Sequence, residues 1–405
     1  MLWLYNIGIK LFGLFVRVFS LFNEKARLFI KGRTNIFQKM QASLRAEKHV
    51  WFHFASLGEF EQGRPVLEQI KNQYPQKKIV ITFFSPSGYE VRKNYALADG
   101  VFYLPLDTAK NAGELVRIIN PELVIFTKYE YWYHYFKRLN ELNIPLIMIS
   151  AIFRPGQIFF KPYGSLHRKI LGFVNFFYVQ NKESKNLLGS IGIPNAEVSG
   201  DTRFDRVAEH AEAPKNIEAV KQFCGTSPVL IAGSTWPEDE RKLAGLVNAN
   251  TDWKFIIAPH EISSKHIDDI MTLIPSAVKY SSLKKSDYSA QVLIIDNIGL
   301  LSSIYQYGII AYIGGGFGAG IHNTLEAAAF GLPVIFGPKY EKFQEAKDLI
   351  DIQAAISVQN QEELEAAFLQ FSPSSKAGTI ARDYVMAKKG ATDQIMAGLA
   401  KYLRT

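Results

Sequence analysis

Cysteine is almost absent: Cys224 is the only one in 405 residues. A single thiol builds neither a disulfide framework nor a Cys-rich zinc site, and it suits a reducing, cytoplasmic setting. The eight histidines are not expected to form a metal site. Net positive charge is scarce outside the first segment. Residues 1–49 carry nine Lys/Arg against Glu24 and Glu47, a net of +7 out of +8 for the whole chain. A globular body with so little net charge argues against a nucleic-acid-binding fold, which would spread a basic patch over its surface. Apolar residues at 48% and charged residues at 21% exclude disordered and fibrous classes. The length suggests two domains.

Residues 1–30 are rich in Leu, Ile, Val, Phe, Trp and Tyr. The polar or small residues Asn6, Lys10, Gly13, Arg17, Ser20 and Glu24 recur at spacings of three and four, which traces one narrow stripe along a helix. The longest uncharged window in this segment is too short for an ordinary spanning helix, and no small-residue cleavage site follows it. A helix lying in a membrane interface is expected, with Lys25, Arg27, Lys31 and Arg33 meeting anionic head groups. The alternative is a helix packed on a partner subunit.

From Trp51 onward, short apolar strands alternate with helical patterns. Strands are expected at 50–54, 78–83, 100–103, 123–126, 146–150 and 176–179. Helical patterns lie between them, for example at 64–72 and 109–119. After a polar break around 207–227 the strand pattern restarts at 229–232, 254–258, 292–295, 309–313 and 333–336. Two doubly wound α/β domains follow from this. The expected division is 1–30 for the membrane helix, 31–208 and 209–385 for two Rossmann-like domains facing a cleft, and 386–405 for a C-terminal helix packing back on the N-terminal domain. In such sheets ligands bind beyond the carboxyl ends of strands.

The strongest local signal is residues 309–338, where an apolar run ends in glycines at 314, 315, 316, 318 and 320, followed by a helical pattern and another strand. Glycines let backbone approach a phosphate, and a following helix offers free N–H groups. Asn323 and Glu326 fall on about one helix face, where the carboxylate could accept hydrogen bonds from ribose hydroxyls. No Gly-Lys-Ser/Thr follows, so the loop is not a P-loop. Tight turns demanded by packing are the other reading.

Together with other short segments, this loop resembles the 3-deoxy-D-manno-octulosonic acid (Kdo) transferases of lipopolysaccharide assembly. The matching segments occur in the family's order. They are Ser56-Leu57-Gly58-Glu59, Ser85-Pro86-Ser87-Gly88, Tyr103 to Asp107, Lys128-Tyr129-Glu130-Tyr131-Trp132, Gly200 to Asp205, Gly233-Ser234-Thr235, and Gly315-Gly316 through His322-Asn323 to Glu326. The chain departs from the family at Lys128, where an acid is usual, at Pro259, where an arginine is usual, and at Ser150-Ala151-Ile152, with Arg154 close by.

The resemblance implies a GT-B glycosyltransferase on the cytoplasmic face of the inner membrane. It implies an inverting, metal-independent transfer from CMP-Kdo to a lipid A precursor (lipid IVA), with no cofactor besides the donor substrate. Glu59 would be the base that takes the acceptor proton; from the residues alone, a helix-capping role is equally open. Glu130 would orient a site residue or a sugar hydroxyl, with a salt bridge to Lys128 or Arg138 as the alternative. Arg203 would neutralise a phosphate or the Kdo carboxylate, and a plain surface arginine is its alternative. Donor contacts would come from Ser234, Thr235, His260, Gly314, Gly315, Gly316, Gly318, Gly320, His322, Asn323 and Glu326. Ser56, Gly58, Ser85, Ser87 and Gly88 would face the acceptor. Two rival functions stand beside this one: a GT-B enzyme for another nucleotide sugar, either a UDP-sugar transferase or an epimerase, and a non-catalytic lipid-binding scaffold.

Overall fold

The computed structural model describes residues 1–372 and 376–404. The chain divides into two compact units, Met1–Asp205 with Gly390–Thr405, and Arg206–Lys389. The division falls inside the helix Thr202–Glu212, so the polar stretch read as a break is largely helical.

Each unit is built on one parallel sheet of seven strands. In the first unit these are β1 (His49–Phe54), β2 (Lys78–Phe83), β3 (Gly100–Tyr103), β4 (Pro121–Thr127), β5 (Leu146–Ala151), β6 (Phe176–Val179) and β7 (Ala196–Val198), in the order 3-2-1-4-5-6-7. In the second they are β8 (Val229–Thr235), β9 (Lys254–Pro259), β10 (Ala277–Lys279), β11 (Val292–Ile294), β12 (Ile310–Ile313), β13 (Val334–Phe336) and β14 (Ala355–Ser357), in the order 10-11-9-8-12-13-14. The central strands are covered on both faces, which explains their continuous apolar runs. Every residue of β1 is buried, and it registers Val50 against Ile79 on one side and Leu123 on the other. The three strands without an apolar signature, β7, β10 and β14, are three-residue edge strands.

The strand order reverses between β1 and β4, and again between β8 and β12. At each reversal the connections leave in opposite directions, so a crevice opens at the carboxyl ends of those two strands. The first reversal is followed by the helix Leu57–Gln73 and by the loop at 128–132, the second by the turn 234–236 and the glycine-rich loop.

The N-terminal segment is not one helix. The first helix runs Leu2–Phe19, and a second starts at Glu24, where the Asn23 side chain accepts from the Ala26 amide. The outward side of the first helix is apolar and exposed from Trp3 to Phe22. Its other side is fastened to the body by the segment 103–107. Tyr5 donates to Asp107 at 2.5 Å, and Asp107 also accepts from the amides of His134 and Tyr135. Gly13 lies so close to Leu106 that a Cβ would stand 2.6 Å from its side chain.

Arg33 also corrects the expectation drawn from charge alone. Its guanidinium donates to the carbonyls of Phe29, Phe84 and Leu104 and lies over the rings of Phe29, Phe84 and Tyr103. It is a structural clamp rather than a head-group contact.

The C-terminal region is two helices, Lys376–Ala387 and Ala391–Leu403, separated at Gly390, whose φ of 116° is left-handed; Thr405 lies outside the described residues. The last helix packs on the first sheet. Ile395, Met396, Leu399 and Leu403 join the core formed by β1, β2 and the helix Leu57–Gln73. Asp205 holds its start, accepting from the amides of Gly390 and Thr392 and from the Thr392 hydroxyl. Asp205→Ala is expected to lower the stability of this unit by about 2 kcal/mol, since it leaves several donors at a helix start without their acceptor. Urea unfolding and faster amide exchange over 391–403 are the measurements that check it.

Candidate active site

The first unit gathers the expected catalytic residues at the β1–β4 reversal. Glu59 stands in the first turn of the helix Leu57–Gln73, not in a loop ahead of it. This helix begins earlier than its glycines and Pro65 suggest, because Phe60, Val66, Leu67 and Ile70 are buried against the sheet. Gly63 permits that approach: a Cβ there would lie 2.3 Å from the Phe54 ring. Glu59 is 8% exposed, and its Oε2 accepts from the Ala55 amide at 2.5 Å. The carboxylate therefore ties the helix start to the residue ahead of its cap position rather than capping a helix amide. Burial nevertheless pushes its pKa up to about 7, with Glu130 raising it further and the Ala55 amide and Lys128 pulling it down.

Glu130 follows β4. It accepts from the Trp132 indole at 2.7 Å and faces His53 Nε2 at 3.4 Å. Arg138 pairs instead with Glu141. His53, absent from the expected set, is fully buried on β1. Its Nδ1 lies 2.8 Å from the Thr82 hydroxyl, which also accepts from the Trp51 indole at 2.8 Å. With the hydroxyl proton given to Nδ1, the Nε2–H points at Glu130. His49 and His53 are spaced four apart, but on a strand, and His49 is engaged with the Ile119 carbonyl. Signals for His53 were available: it is one of two ionisable residues in an otherwise apolar strand.

Arg203 is half-buried and tied to Asp201 through Nε at 2.9 Å and a terminal nitrogen at 2.8 Å, so it is not a plain surface arginine. Burial would raise the Asp201 carboxyl, but Arg203 and Lys128 together hold it below the usual range. Gln62 donates to both oxygens of Asp201 at 3.2 Å. Lys128 has a left-handed φ of 66°, a strained conformation for a side-chain-bearing residue just beyond β4. Tyr129 is raised by burial and pulled down by Arg154 and Arg203, which brings Arg154 into the same charged cluster.

Ser56 begins the helix Leu57–Gln73 in an extended conformation without capping it through its side chain. Ser85 accepts from the Ser87 amide at 3.2 Å, and its own amide donates to Ala55, which sets this loop beside Ser56. Gly88 packs against Phe83 and the Ser56 backbone, whereas a Cβ on Gly58 would meet open space. Of these glycines only Gly58 leaves room for a ligand.

In the second unit, Asp239 pins the glycine-rich loop to the β8 turn. It accepts from the Gly315 amide, the Trp236 amide and the Tyr312 hydroxyl at 2.9, 2.9 and 2.7 Å. Four of the five glycines have internal reasons. Gly314 touches the Ser234 backbone and Gly316 that of Gly337, while Gly315 and Gly320 have φ of 91° and 135°. Gly318 has the most freedom. Ser234, with φ of 54°, and Thr235, bonded to Glu240, form the facing turn.

Trp236, His260 and His322 stack: His260 lies 4.8 Å from Trp236 and 4.3 Å from His322 between ring centroids. The Trp236 indole donates to His322 Nε2 at 3.1 Å. That bond requires an unprotonated Nε2, and burial, then His260, lowers His322 to about 4. The helix after the loop is only Leu325–Ala329, a little over one turn, so the helical support expected there is slight. Asn323 donates to Glu326 at 3.0 Å. Glu326 lines a cavity of about 80 Å³ with Arg206, His210 and Ser302.

Because the Glu59 carboxyl is raised, its stability contribution has a definite sign. Above the unfolded value of 4.5 the unfolded chain releases the proton first, so wild-type stability falls as pH rises from 4.5 through 7. Glu59→Gln is expected to be more stable than wild type at pH 8 by up to ~3 kcal/mol, the advantage vanishing below pH 4.5. Denaturant titrations at several pH values check it; an advantage independent of pH would refute the assignment.

Residues 30–206 match the family model for 3-deoxy-D-manno-octulosonic-acid transferase (kdotransferase). The chain is 25% identical to a 3-deoxy-D-manno-octulosonic acid transferase of Haemophilus influenzae, covering 89% of each chain. It is 26% identical to one of Chlamydia muridarum, covering 78% of this chain and 76% of the relative. It also matches a bifunctional glycosyltransferase/methyltransferase of Fusobacterium nucleatum at 25% identity over 89% of this chain, spanning 57% of that longer protein. Among solved structures, a UDP-GlcNAc 2-epimerase from Neisseria meningitidis bound to UDP-GlcNAc aligns with a TM-score of 0.62 and 16% identity, over 87% of this chain and all (100%) of that one. This likeness speaks to the GT-B fold alone. With that fold, residues 30–206 match the Kdo transferase family model, and over most of its length the chain is similar to Kdo transferases, which are enzymes of the glycosyltransferase class.

Proposed function

We propose that this protein transfers Kdo from CMP-Kdo to a lipid A precursor, lipid IVA, in lipopolysaccharide assembly, by a single inverting displacement without a metal. The observation that carries the reading is Glu59: a buried carboxyl raised to about 7, at the carboxyl end of β1, inside the segment that matches the Kdo transferases. A general base works best when its pKa lies near the working pH. In the displacement, the acceptor oxygen bonds to the anomeric carbon of Kdo as Glu59 takes its proton. The bond from that carbon to the CMP phosphate breaks, and CMP departs with the electron pair. No second carboxylate is required as a nucleophile, in contrast to a retaining hydrolase.

Around that step the other residues have separable tasks. Arg203, fixed by Asp201, presents positive charge to the Kdo carboxylate or the departing phosphate. Glu130, oriented by Trp132 and His53, positions a sugar hydroxyl. Ser56, Gly58, Ser85 and Ser87 belong to the acceptor side, with Gly88 packing behind them against Phe83. In the second unit, the glycine-rich loop at Gly316 to Gly318 borders the donor phosphate, Glu326 with Asn323 faces the ribose, and Ser234, Thr235, His260 and His322 complete the donor contacts. The stacked histidines stand where the family's arginine is replaced by Pro259. The exposed apolar side of Leu2–Phe19 holds the enzyme on the cytoplasmic leaflet of the inner membrane, where anionic lipids and a lipid acceptor are both at hand.

The test is incubation with CMP-Kdo generated in situ and lipid IVA, followed by product mass. Glu59→Ala is expected to lower turnover by about 10²–10⁴-fold while leaving thermal stabilisation by CMP intact. Wild-type turnover in that variant rejects the base. The wild-type rate is expected to rise with pH through about 7 as Glu59 loses its proton. Stabilisation by UDP but not CMP would turn the reading to a UDP-sugar enzyme.

A further inference from the structure

Away from Glu59, the first unit holds a groove of about 770 Å³ beside the first helix. One wall is Lys10, Gly13 and Arg17 of the stripe along Leu2–Phe19, with Leu14 beside them. Opposite, Ile30, Phe37 and Leu106 give an apolar strip among Thr34, Asn35, Gln38 and Asn111. The volume lies within the range of about 300–1,000 Å³ usual for small-ligand sites.

The two cations on the helix wall have no carboxylate partner among the described residues. Glu114 is the one acid lining the groove, and neither Lys10 nor Arg17 is paired with it. Lys10 and Arg17 are about 10 Å apart along the helix, within the joint reach of two long side chains. Glu114 stands on the opposite wall, so an anion is drawn to the helix side. Arg33 also borders the groove, but three carbonyls already hold its guanidinium.

The remaining question is what kind of anion. Apolar residues of the same helix and of the turn after it are exposed from Trp3 to Phe22, with Phe15 at 67% and Phe22 at 83%. A helix seated in a bilayer by those residues carries the groove at the depth where head groups meet acyl chains. An anion arriving there brings an apolar tail, and the apolar strip can receive it.

We propose that this groove binds one acidic glycerophospholipid of the bilayer, its phosphate between Lys10 and Arg17 and part of an acyl chain along Ile30, Phe37 and Leu106. The site is separate from the acceptor side around Glu59. The proposal rests on the membrane attachment stated above. It makes the first helix an adapter whose two sides both contact lipid, one without selectivity and one selecting for negative charge.

The full-length protein is tested by flotation with vesicles of phosphatidylcholine alone and of equal parts phosphatidylcholine and phosphatidylglycerol. Three variants are compared: Thr34→Trp, which fills the groove without changing charge; Lys10→Gln with Arg17→Gln; and Lys25→Gln with Arg27→Gln, which removes the same charge from the second helix outside the groove. Wild type is expected to favour the phosphatidylglycerol vesicles by about tenfold or more. The first two variants should each lose most of that preference while binding phosphatidylcholine vesicles as before; the third should change it less than about twofold. Native mass spectrometry should find one retained phospholipid on wild type and none on Thr34→Trp.

Equal losses in the groove and control variants, with Thr34→Trp unaffected, would replace the site by diffuse attraction and overturn the proposal. Displacement by inorganic phosphate, or retention of a lipid A precursor in place of a phospholipid, would overturn the occupant. Binding to phosphatidylcholine without any preference removes this inference alone. Failure of the wild type to bind either vesicle removes the membrane attachment and the groove proposal together.

Discussion

Two reversals of strand order organise the chemistry of this chain. In a parallel sheet all carboxyl ends point the same way, and the helices that return the chain cover most of them. Only where successive connections leave in opposite directions does the strand edge stay open. Those places are β1 beside β4 and β8 beside β12. Glu59, Lys128, Glu130, Asp201 and Arg203 collect at or near the first, and Ser234, Trp236, Asp239, His260 and the glycine-rich loop at the second. The motifs are short and distant in sequence because each supplies one lip of a crevice. Their identity is dictated by what a strand end can hold, not by each other.

At the first reversal the decisive tension is between burial and charge on Glu59. The helix start around it offers an amide, and a carboxylate placed there is ordinarily stabilised in its charged form. Here desolvation outweighs the Ala55 amide and the nearby Lys128, and the group is raised rather than lowered. Anchoring at the helix start and a basic role are therefore compatible in Glu59. The bond to the Ala55 amide fixes where the carboxylate points; burial sets how readily it takes a proton. Lys128 sharpens the balance. A cation at this position attracts the charged form of Glu59, which keeps the pKa near neutrality instead of higher.

What could be read from residues alone divides along physical lines. The central strands were legible because burial on both faces writes an apolar run; Lys78–Phe83, Gly100–Tyr103 and Phe176–Val179 fall where that run begins and ends. β7, β10 and β14 were not, because an edge strand of three residues needs only backbone pairing on one side. The start of the helix Leu57–Gln73 was hidden by Gly58, Gly63 and Pro65, residues that local propensity counts against a helix while packing on Phe54 requires at least one of them. The break at Asn23 was missed because a three-four spacing continues through it, although Asn ahead of Glu is itself a capping signal. In the glycine-rich loop the count of glycines overstated the ligand: four answer to neighbouring backbone or to left-handed φ, and a sequence cannot distinguish those demands from a phosphate's.

The N-terminal segment shows how the same residues can carry two constraints at once. Tyr103, Leu104, Leu106 and Asp107, which the family resemblance singles out as one motif, are occupied with holding the first two helices: Tyr103 with Arg33, Leu104 through its carbonyl, Leu106 against Gly13, and Asp107 with Tyr5. A helix that merely floated in an interface would need no such fastening. Because it is fastened at Tyr5 and Gly13, its polar stripe is turned toward the body and its apolar side is left outward. The orientation of this unit on a bilayer is then set by protein hydrogen bonds and close packing rather than by the lipid. A carboxylate whose proton affinity is tuned by burial can act on an embedded acceptor only if it is held at a fixed height above the membrane. The docking of Leu2–Phe19 on the 103–107 segment is the part of the structure that can supply that height.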